Sequence, residues 1–446
     1  MKGFVVHQAS GALRGKFVFP GDKSIAHRCV ILSALSRKAV TITNFPTNED
    51  CLATIQVFRQ LGVRINHAIS KQLLVVSGHG LHGLRKPSGP IVIKESGTTF
   101  RLLLGVLAGQ PFSVTLSAGK ALSRRPMARV TKPLRLMGTR IHPIRNTQDS
   151  IQEEFPPLTI CGGDLHAITY KMPVASAQVK SAILLAGLYA QGITKIIEPV
   201  RTRDHTERIL TLFNAEIKKR GNAIELCGGK ELKAPKKIMV PGDISSAAFF
   251  IVLACIMPQA HITIKHISLN PSRTGALGVL KRMGARITAT RSLSHRVSSN
   301  PEPQGDISVK SSTLKSTVVE RNEIPSLIDE LPILMVAAAC ARGKTVFEGV
   351  GELRVKETDR IRSMSDNLQK MGVKISIIKR GVREDIVVEG AKELKGARVK
   401  SFGDHRTAMS MVVAGLKAKG STRIDDVACI GKSFPRFIEL VKRLVS

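Results

Sequence analysis

The residues best suited to chemistry in this sequence are cations placed where helices are expected to begin. Lys23, Ser24 and Arg28 follow the turn Pro20-Gly21-Asp22, which separates a predicted strand from an apolar helical run. The free N–H groups and the dipole of a helix N-terminus attract anions, and two cations strengthen this preference. The pattern indicates a phosphate or carboxylate site, although a capped helix with a solvated basic end has the same sequence signature.

Three further segments have the chemistry of anion binding. They are Ser96-Gly97-Thr98-Thr99, Ser123-Arg124-Arg125 and Ser176-Ala177-Gln178. Glycine allows a close approach of the backbone, hydroxyl groups at helix starts bind oxyanions, and the arginine fork suits phosphate and carboxylate. Taken singly, each segment is also compatible with an ordinary helix cap or a solvated loop.

Two acidic positions stand out because the chain is so basic. The first is Asp329, which lies beside Glu330 at the end of a stretch interpreted as a strand, before an apolar helix predicted from Ile333 to Cys340. Its carboxylate could complement the helix dipole or act as a general base in a cationic cleft. At the start of another helix, we predict His205 to be a hydrogen-bonded cap residue rather than a catalyst.

The second acid, Glu357, lies within Arg354–Arg360, where five of seven residues are charged. If this segment is helical, Lys356 and Arg360 share a face and Glu357 is angled away from it. Among these cations Glu357 stays ionised unless it is desolvated, so its role as an acid or a base depends on burial.

Arg406 and Lys432 add cations near the end of the chain. The sequence contains no metal-ligand spacing and no dinucleotide-binding fingerprint. The residues together therefore predict a cleft that closes on more than one phosphate or carboxylate, in which carboxylates move protons.

The elements that must position these residues recur along the chain. Five times, 70 to 88 residues apart, a residue suited to a left-handed cap ends an amphipathic helix and precedes a strand, at Gly62, Gly138, Asn214, Gly284 and Gly372. This spacing is too long for a solenoid and suits a βαβ-type unit with extra strands, used about six times. The alternation of short strands with helices indicates the α/β class.

A second copy of the first turn, Pro241-Gly242-Asp243, divides the chain and lacks the lysine and the arginine. A chain of 446 residues is expected to form two domains. We predict one domain from residue 22 to 240 and a second from residues 1–21 plus 241–446. Two crossovers would join them as a two-stranded hinge with the cleft beside it.

Composition weighs against several classes of protein. The net charge of +34 predicts attraction for anions, nucleic acid included, but only 4% of residues are aromatic, so the stacking platforms of single-strand binders are scarce.

No apolar run approaches the roughly 20 residues of a membrane helix, and the start is too short and polar for a secretory signal, which favours the cytoplasm. The seven dispersed cysteines favour reduced thiols over disulfides or zinc.

The motifs cover nearly the whole chain in the order of one known family: Asp22–Arg28, Ser96–Thr99, Arg125–Met127, Ser176–Gln178, Arg354–Arg360 and Asp404–Arg406. They closely resemble the 5-enolpyruvylshikimate-3-phosphate (EPSP) synthases, or 3-phosphoshikimate 1-carboxyvinyltransferases. The resemblance implies a two-domain, inside-out α/β barrel fold built from six βαβαββ repeats, three in each domain. It implies transfer of the enolpyruvyl group of phosphoenolpyruvate to the 5-hydroxyl of shikimate 3-phosphate with release of phosphate, in chorismate and aromatic amino acid biosynthesis. It also implies a monomer without metal or cofactor.

The resemblance also implies which residues form the site. Asp329 would take the proton of the 5-hydroxyl, Glu357 would act on the methylene carbon of phosphoenolpyruvate, and Lys23 would touch both substrates. Shikimate 3-phosphate would be held by Lys23, Ser24, Arg28, Ser176, Gln178, Asp329 and Lys356. Phosphoenolpyruvate would be held by Lys23, Gly97, Arg125, Gln178, Arg360, Arg406 and Lys432.

Two residues depart from the family pattern, and two alternative assignments of function remain open. Glu95 stands where the family usually has asparagine, and it either pairs with an arginine such as Arg125 or weakens substrate binding; Thr202 replaces a frequent serine. The UDP-N-acetylglucosamine enolpyruvyl transferases share the fold, but they carry a cysteine before their Arg-Pro, and Gly119–Arg125 contains none. The alternative from another class is a basic nucleic-acid-binding protein.

Overall fold

A computed structural model describes residues 3–144, 153–292, 302–381 and 383–445. Short strands alternate with helices throughout these residues. In chain order the strands are β1 (Phe4–His7), β2 (Arg14–Val18), β3 (Ala39–Thr43), β4 (Arg64–Ala68), β5 (Leu73–Ser77), β6 (Ile91–Ile93), β7 (Ser113–Ala118), β8 (Arg140–Pro143), β9 (Leu158–Cys161), β10 (Thr169–Lys171), β11 (Ile193–Ile197), β12 (Ile217–Arg220), β13 (Ala223–Cys227), β14 (Lys237–Met239), β15 (His261–Ser268), β16 (Arg286–Arg291), β17 (Gln304–Lys310), β18 (Val318–Val319), β19 (Lys344–Phe347), β20 (Lys374–Arg380), β21 (Arg383–Glu389), β22 (Arg398–Val399) and β23 (Ser421–Ile424).

The α-helices of the described residues lie between these strands and after the last one. They are α1 (Lys23–Ala34), α2 (Glu49–Gln60), α3 (Gly97–Ala108), α4 (Ala128–Leu136), α5 (Ala177–Gly187), α6 (His205–Leu212), α7 (Ile244–Ile256), α8 (Gly275–Arg282), α9 (Ile324–Leu327), α10 (Leu331–Ala339), α11 (Arg360–Lys370), α12 (His405–Lys417) and α13 (Phe437–Val445).

The described residues group into two compact units. The inserted unit contains Gly21–Val240 together with Glu302, and the terminal unit contains the residues up to Pro20 and the remaining residues from Pro241 onwards. Each unit has its own hydrophobic core.

The inserted unit contains three four-stranded sheets with one common topology. Their strand orders are β14-β3-β5-β4, β6-β7-β9-β8 and β10-β11-β13-β12. In each sheet the first two strands are parallel and the remaining pairs are antiparallel. One helix connects the parallel pair in two of these sheets, and the final two strands form a hairpin, which gives the order β-α-β-α-β-β.

The terminal unit repeats this arrangement twice and ends with a shorter version. Two of its sheets have the orders β2-β15-β17-β16 and β18-β19-β21-β20, and the third is the three-stranded sheet β22-β23-β1. The expected α/β fold class is confirmed, and the six sheets of the described residues correspond to the six expected repeats. The five positions predicted to end helices in left-handed caps all have positive φ angles, from 60° at Asn214 to 107° at Gly138.

Helices buried on all sides form the centre of each unit. In the terminal unit every residue of α7 is buried, and α10 and α12 pack against it. In the inserted unit α3 packs directly on α5, and a Cβ on Gly105 would lie 2.2 Å from the carbonyl oxygen of Ala182. Glycine is therefore required where the two helix backbones come closest.

One local prediction is wrong, and the condition attached to another is not met. The residues before α10 form a short helix and a turn, Ile324–Leu327 followed by Ile328–Glu330, instead of a strand. The segment Arg354–Arg360 is not one helix, because a 3-10 helix ends at Val355 and α11 begins at Arg360. Lys356 and Arg360 consequently do not share a helical face.

No helix of the described residues has the length and hydropathy needed to cross a bilayer. All seven cysteines lie in the described residues and are free thiols, as expected.

Candidate active site

The N-termini of α1, α3 and α5 are fixed by three side-chain caps in the inserted unit. Asp22 accepts a hydrogen bond from the N–H of Ile25, Ser96 from that of Thr99, and Ser176 from that of Val179. A capped helix start leaves other N–H groups of the first turn available to an anion. The predicted residues Lys23, Ser24, Gly97, Ser176 and Gln178 all lie at these three helix starts.

Lys23 is held by an acid from the neighbouring helix α2. Its Nζ lies 2.8 Å from Oδ2 of Asp50, and both side chains are largely buried. The backbone carbonyl of Asp50 accepts a hydrogen bond from the hydroxyl of Thr99 at 3.4 Å. This connects the starts of α1, α2 and α3, so the position of the Lys23 ammonium is tied to the position of Gly97.

Arg125 and Gly97 lie in direct proximity. A Cβ on Gly97 would be 3.0 Å from Nη1 of Arg125 and 2.8 Å from Nη1 of Arg101. The absence of a side chain at Gly97 therefore lets two guanidinium groups lie beside the N-terminus of α3, where helix dipole and cations act together on an anion.

Glu95 contacts the backbone of the loop that carries Arg125. Its Oε2 accepts a hydrogen bond from the N–H of Leu122 at 2.8 Å, and its Oε1 accepts one from the N–H of Ala121 at 3.2 Å. The acid that departs from the usual asparagine is thus bound to backbone amides immediately before Arg125.

Gln178 connects α5 to α3. Its Nε2 donates to the hydroxyl of Thr98 at 3.0 Å. Its Oε1 is buried and has no hydrogen-bond partner within the described ranges. A buried acceptor without a partner is costly, so this oxygen is a candidate for contact with a substrate hydroxyl.

Arg28 is buried between α1, α5 and α6. Its Nε donates to Thr206 at 2.6 Å, its Nη2 to Ser181 at 2.8 Å, and its Nη1 to the carbonyl of Ser24 at 2.8 Å. Burial lowers the pKa of Arg28 to about 10, and the charge of Glu207 opposes this shift. The guanidinium is therefore cationic at neutral pH and fixed by residues of three helices.

A buried ionic cluster lies beside Arg28. The Nζ of Lys180 is 3.1 Å from Glu198 and 2.7 Å from Glu207, and none of the three side chains is more than 8% exposed. Thr202 donates both its hydroxyl and its N–H to Glu198. The hydroxyl of Thr202, which replaces the frequent serine, is therefore bound within the protein, and Thr202 is itself buried.

His205 is the first residue of α6 and is buried, with its Nδ1 2.7 Å from Oε1 of Glu302. The predicted hydrogen bond of His205 is present, but the N-cap position of α6 is occupied by Asp204, so His205 is not the cap residue.

Asp329 lies among three guanidinium groups in the terminal unit. Its carboxylate is 3.3 Å from Nη1 of Arg360, 3.7 Å from Nη2 of Arg406 and 3.9 Å from Nη1 of Arg273. Arg406 also donates to the backbone carbonyl of Asp329 at 2.8 Å. These cations favour the ionised form of the carboxylate, which is the form that accepts a proton.

Arg360 connects Asp329 to Glu357. Its Nη2 lies 2.7 Å from Oε2 of Glu357, and its Nε lies 2.8 Å from Oδ2 of Asp404. Burial acts to lower the pKa of Arg360, but the three carboxylates outweigh burial and raise its pKa above the ordinary value. The carboxylates predicted to move protons are therefore joined through one permanently charged group.

Arg406 and Lys432 are brought to the same region by α12. Arg406 is in the first turn of α12, whose cap Asp404 accepts from its N–H at 2.7 Å. Lys432, at the end of a short 3-10 helix, contacts the carbonyl of Gly403 at 3.3 Å. Both cations thus lie at the N-terminus of α12.

Lys356 lies between the 3-10 helix and α11. Desolvation lowers its pKa to about 8, and the charge of Arg360 acts in the same direction. Asp329 and Glu357 oppose the shift. Lys356 is therefore close to these three groups, and its charge changes in a range of pH that enzymes commonly encounter.

Sequence reasoning missed several members of these clusters. Asp50, Asp404 and Glu330 were not assigned roles, and Arg273 was not singled out at all. The acids have a local signal, because each lies at the start of a helix. Arg273 has none, since its partner Ser245 is 28 residues away.

Comparisons with known proteins decide the family. A family model described as EPSP synthase (3-phosphoshikimate 1-carboxyvinyltransferase) matches residues 7–441. The chain belongs to the EPSP synthase family. The 3-phosphoshikimate 1-carboxyvinyltransferase of Shouchella clausii is 44% identical over 99% of this chain and 98% of its own length. That of Desulforamulus reducens is 45% identical over 97% of both chains.

Solved structures agree with this family assignment. The EPSP synthase of Acinetobacter baumannii superposes with a TM-score of 0.86, at 41% identity, over 100% of this chain and 98% of that chain. The chain therefore has the two-domain α/β fold of the enolpyruvyl transferases. The described residues contain no group of three or more His, Cys, Asp or Glu side chains suited to hold a metal ion.

Proposed function

We propose that this chain transfers the enolpyruvyl group of phosphoenolpyruvate to the 5-hydroxyl of shikimate 3-phosphate and releases inorganic phosphate. The observation that carries the proposal, within the EPSP synthase family, is the placement of Asp329 among three guanidinium groups, one of which also contacts Glu357. Two carboxylates joined by a shared cation provide separate groups to accept and to deliver a proton. The surrounding cations suit substrates that carry phosphate and carboxylate.

The cations and helix starts are assigned to the substrates by their chemistry. The amide of Gln178 suits the hydroxyls of shikimate 3-phosphate, and Arg28 suits its phosphate. The proposed contacts of shikimate 3-phosphate are Lys23, Ser24, Arg28, Ser176, Gln178, Asp329 and Lys356.

Phosphoenolpyruvate carries a carboxylate and a phosphate, which suit the arginine forks and the start of α3. Its proposed contacts are Lys23, Gly97, Arg125, Gln178, Arg360, Arg406 and Lys432.

The reaction needs proton transfer at two places. Glu357 delivers a proton to the methylene carbon of phosphoenolpyruvate, which creates an oxocarbenium-like centre at the neighbouring carbon. The 5-hydroxyl attacks that centre while Asp329 accepts its proton, and a tetrahedral intermediate forms. Loss of phosphate and return of a methyl proton to Glu357 regenerate the double bond. Fixed cations such as Lys23 and Arg406 stabilise the negative charge of the phosphate and carboxylate throughout.

We propose that residues 22–240 form one domain and residues 1–21 plus 241–446 form a second, and the grouping of the described residues into two compact units supports this division. We also propose a cytoplasmic monomer without metal or cofactor. The monomeric state and the absence of metal and cofactor rest on family resemblance, and sedimentation equilibrium of the full chain tests the oligomeric state.

The test of the reaction is phosphate release from shikimate 3-phosphate plus phosphoenolpyruvate, followed by mass spectrometry of the product. Wild type should give equal amounts of phosphate and enolpyruvyl product, while Asp329→Asn and Glu357→Gln should each lose about 10²–10⁴-fold in kcat. A parallel DNA mobility shift tests the alternative of a basic nucleic-acid-binding protein. DNA binding without phosphate release would refute the proposal.

A further inference from the structure

The second Pro-Gly-Asp turn has no role in the proposed chemistry, yet like the first it supplies the N-cap of a helix. Asp243 caps α7 by accepting from the N–H of Ser245 at 2.8 Å, just as Asp22 caps α1. The positions that hold Lys23 and Arg28 in the first copy are occupied by Ile244 and Phe249 in the second. The start of α7 therefore carries no cation of its own in its first two turns.

A cation reaches the start of α7 from a distant loop. Arg273 is only 2% exposed and follows a tight turn in which its N–H donates to the carbonyl of Asn270 at 2.8 Å. The side chain of Asn270 accepts from the N–H of Ser272 at 2.9 Å. The backbone that carries Arg273 is thus defined by hydrogen bonds, and its long side chain is held by burial.

Arg273 connects α7 to the residues before α10. Its Nη2 donates to the hydroxyl of Ser245, and that hydroxyl donates to Oε1 of Glu330. Its Nη1 is 3.9 Å from Oδ2 of Asp329. The buried guanidinium of Arg273 therefore contacts the carboxylate of Asp329, which is proposed as the general base. It also contacts the hydroxyl of Ser245, which donates to the next residue, Glu330.

Arg273 differs from the other two arginines near Asp329. Arg360 also contacts Glu357, and Arg406 contacts the backbone of Asp329, and both are assigned to phosphoenolpyruvate. Arg273 is instead bound to Ser245 and lies 3.8 Å from the cap Asp243. Its contacts with Ser245 and Asp243 hold its guanidinium beside the Asp329 carboxylate, and no substrate contact is assigned to it.

We propose that Arg273 is a positioning residue for Asp329, which holds the Asp329–Glu330 turn through Ser245 and maintains the Asp329 carboxylate in its ionised form. This inference rests on the proposed role of Asp329 as the proton acceptor. The charged groups near Asp329 that set its ionisation are Asp243, Arg273, Glu330, Lys356, Glu357, Arg360, Asp404 and Arg406. Removal of one cation from this set favours the protonated form of Asp329 over its ionised form.

The test is the pH profile of kcat for Arg273→Met and Arg273→Lys. For Arg273→Met we expect kcat to fall about 100-fold, both KM values to stay within about threefold, and the acid limb to move up by about one pH unit. Arg273→Lys should return the limb to its wild-type position, because the charge is restored, but recover only part of kcat, because the fork is lost. If Arg273 had only a structural role, Arg273→Met would leave the acid limb of the pH profile of kcat at its wild-type position.

Ser245→Ala and Arg282→Met complete the experiment. Ser245→Ala removes the hydroxyl between Arg273 and Glu330 without removing a charge, and we expect kcat to fall about tenfold with KM unchanged. It decides the question if Arg273→Met fails to fold: wild-type kcat in Ser245→Ala would then overturn the inference. Arg282→Met on α8 removes an exposed arginine paired with Glu323 and should leave every parameter unchanged.

The outcomes separate this inference from the proposed function. If wild type releases no phosphate, the reaction itself is wrong. If Asp329→Asn turns over at a near-normal rate, the role of Asp329 is wrong and the inference falls with it. If Asp329→Asn is inactive but Arg273→Met keeps the wild-type acid limb, only the role of Arg273 is refuted.

Discussion

The Nε of Arg360 lies 2.8 Å from Oδ2 of Asp404, and neither side chain is more than 1% exposed. The charge on Asp404 therefore compensates a buried guanidinium that also contacts Asp329 and Glu357. Because the last two acids are proposed to change protonation during the reaction, Asp404 is the partner that keeps Arg360 compensated at every stage.

Asp404→Ala should destabilise the protein strongly. It removes the partner of a buried cation, which costs about 3–5 kcal/mol, and it removes the N-cap of α12, which costs about 1 kcal/mol. Urea unfolding measures the difference. Asp366→Ala is the matched control, because it removes an exposed partner 3.6 Å from Arg362 and should change the free energy of unfolding by less than about 0.5 kcal/mol. Equal stability of the two variants would contradict the structural role of Asp404.

Gly97→Ala should weaken phosphoenolpyruvate binding selectively. The new Cβ would displace the flexible ends of Arg101 and Arg125, so the fold should persist while the guanidinium groups move. We expect KM for phosphoenolpyruvate to rise about tenfold, or about 1.4 kcal/mol, with KM for shikimate 3-phosphate unchanged. Steady-state kinetics with each substrate varied in turn measures this.

The control for Gly97→Ala is Gly278→Ala, at an exposed helical position with no atom within 4 Å of the new Cβ. It should leave the kinetics unchanged and raise stability by about 0.5–1 kcal/mol. A normal phosphoenolpyruvate KM in Gly97→Ala would show that Arg125 does not act at this helix start.

Glu95→Ala should also affect phosphoenolpyruvate more than shikimate 3-phosphate. The substitution frees the N–H groups of Ala121 and Leu122 and loosens the loop that carries Arg125. Hydrogen bonds to a charged group contribute about 1.5–3 kcal/mol each, and we expect part of that to appear as a roughly tenfold rise in KM. Glu95→Gln should be intermediate, and the exposed Glu393→Ala serves as a control. If Glu95→Ala binds phosphoenolpyruvate more tightly, the acid repels the substrate instead of supporting the loop.

The pH dependence of shikimate 3-phosphate binding should report Lys356. Its pKa is lowered to about 8, mainly by desolvation, so the free enzyme loses this charge as pH rises through that value. We expect kcat/KM for shikimate 3-phosphate to fall above about pH 8, whereas kcat changes less because the bound anion stabilises the ammonium. Lys356→Arg should move the decline to higher pH, and Lys356→Met should lower kcat/KM and abolish this step. A wild-type step in Lys356→Met would assign it to another group.

Local signals explain which elements were predictable. Gly62 and the other cap positions were predicted because a left-handed cap requires a residue that tolerates positive φ. The starts of α1, α3 and α5 were predicted because Asp22, Ser96 and Ser176 are strong caps. These are the elements that carry the candidate site of the inserted unit, so the helix starts that hold Lys23, Gly97 and Gln178 were predictable from the sequence.

The errors arose where long-range contacts override local patterns. The apolar residues before Asp329 show no periodicity that distinguishes a strand from a short helix, and tertiary packing stabilises the helix. The alignment of Lys356 with Arg360 depended on Arg354–Arg360 being one helix, but Asp359 caps a new helix at Arg360 and leaves Lys356 outside it. Arg273 could not be found, because its significance comes entirely from partners that are distant in sequence.

The pairing of β1 with β23 has a consequence for biosynthesis on the ribosome. His7 pairs with Ser421, 414 residues further along the chain, whereas the strands of the inserted unit find all their partners between Ala39 and Met239. At a translation rate of about 5–20 residues per second, roughly 20–80 s pass between the synthesis of β1 and the synthesis of its partner β23. The middle of the polypeptide can complete its sheets during that interval, while the exposed edge of the first strand must avoid improper partners until translation ends.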